Sequence, residues 1–156
     1  MRLASEFKAP RFLRFLRNIT GPEKHPIART QLLVIQAVGE NPDVQLLFND
    51  EDSRSERDAL IAARDHEVNP RGKLNFHIEF IGLLARCTSG VLPGAEAIGR
   101  SILPLRDILS HLVQTNLPLV LRANYLHLLN EAYINAKRPM EKSNDLCVQH
   151  FSSPRA

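Results

Sequence analysis

The chain contains no tryptophan and only two tyrosines and seven phenylalanines among its 156 residues. That scarcity argues against an aromatic binding platform and for a core built from leucine and isoleucine. Cysteine is as rare: Cys87 falls inside an apolar helical pattern and Cys147 in a polar tail. Two such distant thiols imply no disulfide framework and suit a reducing compartment. No stretch of about 18 apolar residues, the length a bilayer span needs, occurs. The N-terminus lacks the long apolar run of a secretory signal. Asn18-Ile19-Thr20 matches the glycosylation triplet, which a reducing compartment would leave unused. Charge is also poor in one-sided excess. A net charge of +3 is too mild for a nucleic-acid or membrane-surface protein, which would present a denser basic patch.

Motifs of enzyme chemistry are missing too. The phosphate-loop pattern, the dinucleotide-binding glycine pattern and the Gly-x-Ser-x-Gly elbow do not occur. There is no Cys-x-x-Cys, and none of His25, His66, His77, His111, His127 and His150 is spaced i, i+4 from another. Asn49-Asp50-Glu51-Asp52 raises the question of calcium. Reading an EF-hand loop from Asn49 puts Arg54 where glycine is required and Leu60 where glutamate is, so the motif fails. The cluster better suits the N-terminus of a following helix, where its charge meets the helix dipole. No catalytic, cofactor-binding or metal-binding residue is assigned, and no cofactor is expected. His77 reads as a core histidine bonded to a neighbouring group rather than a catalyst. Cys87 reads as a small packed hydrophobe.

What the sequence does have is helical periodicity punctuated by Pro and Gly. Pro10 opens a helix to Ile19 with Phe12, Leu13, Phe15, Leu16 and Ile19 at helical spacing. Arg11, Arg14 and Arg17 take the opposite stripe, expected as a solvated outer face, with an anionic membrane or acidic partner as the functional alternative. After Gly21-Pro22, a helix from Pro26 to about Val38 is expected to stop with Gly39 at its C′ position. Asn41-Pro42 restarts the chain, and Val44, Leu46, Leu47 and Phe48 form a short apolar turn. Ser53 and Glu56 have capping-box spacing for a helix from Arg54 to about His66, ended by Asn69-Pro70-Arg71-Gly72.

The central helix is expected from about Lys73 to Thr88. Asn75, Glu79, Gly82 and Arg86 form one narrow polar stripe, and nearly every other position is apolar. Such a helix must be covered on most sides. Residues 95–99 suggest one weak turn. A helix near Pro104 should bury Leu105, Ile108, Leu109 and Leu112. Asn116 and Pro118 begin the last helix, to about Ala136, with Leu121, Tyr125, Leu128, Leu129 and Ala132 inward and Arg122, Asn130 and Glu131 mostly outward. Residues 1–9 and 137–156 are read as poorly ordered tails. The fold class is all-α, with antiparallel helices over 10–136 stacked as an armadillo- or HEAT-like solenoid segment.

Several segments, in order, resemble the regulatory cytosolic region of the inositol trisphosphate receptor family, intracellular calcium-release channels, around the homology domain shared with ryanodine receptors. They are Pro10 to Leu16, Val44 to Asp50, Arg54 to Asp58, Phe76 to Gly90, Ser101 to Ile108 and Tyr125 to Tyr133. Each is mostly helix core, and the order gives them their specificity. Neither the family's ligand-binding cluster nor its pore is matched. The resemblance therefore implies armadillo-like helices at the cytosolic face of the endoplasmic reticulum membrane, within a tetrameric channel. Such a segment would link ligand binding to the gate and offer surface to neighbouring domains, subunits and regulatory proteins. It implies no enzyme activity, no nucleic-acid partner and no membrane span in this chain. Two other readings stay open: a stand-alone helical interaction scaffold, and a peripheral module binding anionic lipid through Arg11, Arg14 and Arg17.

Overall fold

The computed structural model describes residues 9–22, 25–90 and 92–136, and among them every regular element is helical. In chain order the α-helices are α1 (Pro10–Ile19), α2 (Ala28–Gly39), α3 (Glu51–Ala62), α4 (Asp65–Val68), α5 (Lys73–Thr88), α6 (Pro93–Ile102), α7 (Leu105–Leu112) and α8 (Leu119–Leu129). A 3-10 turn spans Pro42–Val44, and a π-helical turn, Asn130–Ile134, extends α8. Among the described residues no helix is long and apolar enough to cross a membrane. The expected tails, residues 1–9 and 137–156, lie outside the described residues except for Ala9, as do Cys147 and His150.

Helix α5 is the axis of the fold. Its limits are those its sequence pattern predicts, and every residue from Phe76 to Thr88 is buried. It packs most extensively on α8 and α1, and also on α2 and α6. Apolar character around most of its circumference is what lets so many partners seat on it. Leu74, Phe80, Ile81, Leu83 and Ala85 are completely inaccessible.

The structure corrects several local expectations. Gly39 is the last residue of α2, not a left-handed C′ residue, and Glu40 caps the helix in right-handed conformation. A Cβ on Gly39 would lie 3.1 Å from Ile98 Cγ2, so its use is the close approach of α6. The cap of α3 is Asp50, which accepts a 2.8 Å bond from Ser53 N–H, so the helix begins before the Ser53–Glu56 box. Glu51 and Asp52 fall in its first turn, as the dipole argument requires. The helix does not run to His66. It ends at Ala62, Arg64 takes a left-handed conformation with φ 53°, and α4 follows.

Residues 93–102 form a full helix rather than one weak turn. Pro93, Gly94 and Gly99 lower its intrinsic propensity, but Gly99 allows tight packing: a Cβ there would meet Thr88 Cγ2 at 2.7 Å. On α7 the buried residues are Ile108 and His111, while Leu105 and Leu109 are 41% and 46% exposed. The helix is turned because His111 is drawn to buried partners on α3 and α8. The last helix begins at Leu119 and changes to π-helical geometry at Asn130. Leu121, Tyr125, Leu128 and Ala132 are buried as expected. Arg122 is not outward: its Nη2 donates to Gln114 O at 2.7 Å, tying α8 to the turn before it.

Candidate functional site

The polar stripe of α5 organises the most site-like region. Asn75 Nδ2 donates to His66 O and Asn69 O, both at 2.9 Å, closing the turn that precedes the helix. Glu79 is buried, and its Oε1 accepts from Arg14 Nη2 at 2.7 Å and Nε at 3.0 Å. Its Oε2 lies 3.2 Å from Arg17 Nη1. The arginine stripe of α1 is thus divided. Arg14 and Arg17 reach inward to α5, while Phe12, Phe15 and Ile19 retain exposure. Burial of one carboxylate is compensated by two guanidiniums, one of them forked.

Gly82, next on the stripe, makes room for groups from two other helices. A Cβ there would come 3.0 Å from Arg17 Nη1 and 3.1 Å from Asn124 Nδ2. Asn124 Nδ2 donates to Ile78 O at 2.8 Å, stapling α8 to α5. Arg86 ends the stripe. It is 6% exposed, and its Nη2 donates to Gly21 O. Its backbone carbonyl and that of Ser89 both accept from Gln31 Nε2 at 2.8 Å, fixing α2 to the end of α5.

Where these groups meet, an open polar cleft of about 700 Å³ lies between α1, α5 and α8. Arg17, Asn18, Gly82, Arg86, Asn124 and His127 line it. Among the described residues, no carboxylate lies within ion-pair distance of Arg86. The α5 stripe was visible in the sequence. Its convergence with Arg17, Asn124 and His127 was not, because those residues carry no shared motif.

A second cluster is fully buried. His77 Nδ1 lies 2.5 Å from Leu46 O and Nε2 lies 2.8 Å from Tyr125 Oη. A carbonyl only accepts, so Nδ1 carries the proton and Nε2 accepts from the tyrosine hydroxyl. Arg57, with no exposed surface, donates through Nη1 to His111 Nδ1 and through Nη2 to Asp58 Oδ1 at 2.8 Å. His111 therefore keeps its proton on Nε2, which is buried without a partner. The His111 ring stacks on Tyr125 at 4.9 Å, and Phe48 meets His77 edge-on at 5.0 Å. Burial, then the Arg57 charge, pushes His111 down to about 3. Burial likewise pushes His77 down to about 4, against the opposing hydrogen bond to Leu46. These are neutral structural imidazoles, and His77 is the core histidine its position suggested. Cys87 is buried in α5 and pushed up to about 12 by burial, the state of a packed thiol rather than a nucleophile.

Apolar surface remains at two places. A cavity of about 430 Å³ between α1 and α2 is lined by residues including Leu16, Ile19, Leu33, Val34 and Phe76. On α7, Leu105 and Leu109 continue into Val113, 78% exposed, at steps of four. No known protein-family model matches the chain.

Proposed function

We propose that this chain is a cytosolic coupling and regulatory segment of a calcium-release channel resembling the inositol trisphosphate receptors. In this reading its helices stack with neighbouring armadillo-like helices and pass conformational change between them. The observation that carries the reading is the outer stripe of α7. Leu105, Leu109 and Val113 form an apolar line at i, i+4 and i+8 with nothing covering it among the described residues. Large apolar side chains in a row mark an interaction surface. A solenoid segment leaves such an edge when its neighbouring repeat is missing. The ordered sequence resemblance supplies the identity of the neighbour.

The test is to express the chain in cells whose calcium stores respond to inositol trisphosphate. The expected result is that it associates with the endogenous channel and reduces release by competing for the neighbouring helices. A Leu105→Ser, Leu109→Ser, Val113→Ser variant should fold equally well and lose both effects. If the wild-type chain neither co-purifies with the channel nor changes release, the stand-alone scaffold reading replaces this one. Glu79 draws Arg14 and Arg17 toward α5, so Arg11, Arg14 and Arg17 do not form the single outward row that the anionic-lipid reading requires.

A further inference from the structure

We propose that the cleft between α1, α5 and α8 binds a small phosphate ester, with Arg17 and Arg86 holding the phosphate. This does not depend on the channel reading. Arg86 is the first reason. A guanidinium stays charged at any physiological pH, and an unpaired buried charge is costly. Arg86 is 6% exposed and lines the cleft, and among the described residues its guanidinium makes one hydrogen bond, to the Gly21 carbonyl. Every other deeply buried charged side chain has a partner of opposite sign: Glu79 with Arg14 and Arg17, Arg57 with Asp58, Glu96 with Arg100. Arg86 is the exception among the described residues, and it lines the open polar cleft.

Arg17 is the second reason. The missing side chain of Gly82 allows it to reach the same wall. Arg14, Arg17 and Arg86 stand against the single carboxylate Glu79, so this seam carries two uncompensated positive charges. Glu131 is occupied by Gly90 N–H and does not line the cleft. A phosphate monoester is a dianion near neutral pH, and its oxygens match the planar donor fork of arginine. A cavity of about 700 Å³ is within the size of small-ligand sites. Asn124 already uses its amide N–H on Ile78 O, which leaves Oδ1 to accept from a hydroxyl on the ligand.

Such an ester could be a soluble metabolite or a lipid headgroup, and the experiment separates them. Inorganic phosphate is titrated against the full chain in low chloride, following the arginine Nε–H signals by NMR. In parallel, the chain is sedimented with phosphatidylcholine vesicles with and without phosphatidic acid. Asn18 is exposed at the rim and makes no side-chain hydrogen bond among the described residues, so its variants test charge without endangering the fold. Saturable phosphate binding is expected, about fivefold weaker in Asn18→Asp and about fivefold stronger in Asn18→Lys. Arg86→Gln should abolish it; if that variant fails to fold, the Asn18 pair decides. Vesicle binding that requires phosphatidic acid and responds to Asn18 in the same way identifies a headgroup. Phosphate binding without vesicle binding identifies a soluble ester. No saturable change up to about 20 mM phosphate, a free energy too small to matter, overturns the proposal. So does equal affinity in the wild type and both Asn18 variants.

Discussion

Acidification from about pH 7.5 to about pH 5 should remove a large part of this protein's stability, through His77 and His111. An unfolded histidine titrates near 6.5, whereas the folded protein holds these two at about 4 and about 3. Between those values the unfolded chain binds more protons than the folded one. Stability therefore rises with pH across this window and is lost as pH falls below about 6.5. At about pH 5 the unfolded imidazoles are almost all charged and the folded ones almost all neutral, so each histidine costs about 2 kcal/mol. Together they cost about 4 kcal/mol, a substantial share of the 5–15 kcal/mol typical of a domain. Charging His111 would also place a cation against the buried Arg57 guanidinium, whose Nη1 already donates to Nδ1. His77, with Tyr125 on one side and Leu46 O on the other, has no carboxylate partner among the described residues to offset a charge. Carboxylates ordinarily titrate near 4 and lie below most of the window. The assay is urea denaturation at half-unit pH steps. At a slope of about 2 kcal/mol/M the midpoint should fall by roughly 2 M. His111→Gln keeps a neutral acceptor for Arg57 and should remove about half of the pH dependence. A midpoint that stays constant from pH 7.5 to pH 5 would show that these imidazoles are not held neutral in the core. So would a His111→Gln variant that keeps the wild-type slope.

Core and edge should respond differently to truncation. Ile81→Ala, at a completely buried position, should cost about 2–5 kcal/mol, while Leu109→Ala on the exposed α7 stripe should cost less than about 1 kcal/mol by chemical denaturation. Equal losses at the two sites would mean that α5 is not the covered axis. Gly99→Ala forces a Cβ against Thr88 Cγ2, and calorimetry should record a loss of about 1–3 kcal/mol despite the better helix propensity of alanine. A stabilised variant would contradict the close α5–α6 packing. Cys87 in the folded chain should react with iodoacetamide at pH 8 on the order of 100-fold slower than in urea, measured by mass spectrometry of the Cys87 peptide. Equal rates would place the thiol at the surface.

The sequence alone determined the central helix, because its signal is local. Fifteen or so positions from Leu74 to Thr88 are so nearly apolar that only a fully covered helix accommodates them, and Gly72 and Ser89-Gly90 punctuate its ends. The Pro10 start of α1 and the inner face of α8 were legible for the same reason. Where a helix is only partly apolar, the choice of face was not. Residues 105–112 offer a good apolar stripe, yet His111 is buried in place of Leu105 and Leu109, because Arg57 and Tyr125 lie across from it. Residues 93–102 have poor propensity and fold as a full helix because Gly99 fits against Thr88. The polar cleft shows the limit most clearly. Gly82 and Arg86 were visible as a stripe on α5, but Arg17, Asn124 and His127 come from helices far apart in the chain. Periodicity reports which side of a helix is apolar. Only packing decides which distant polar groups that side is made to share, since their meeting depends on the contacts of every helix between them.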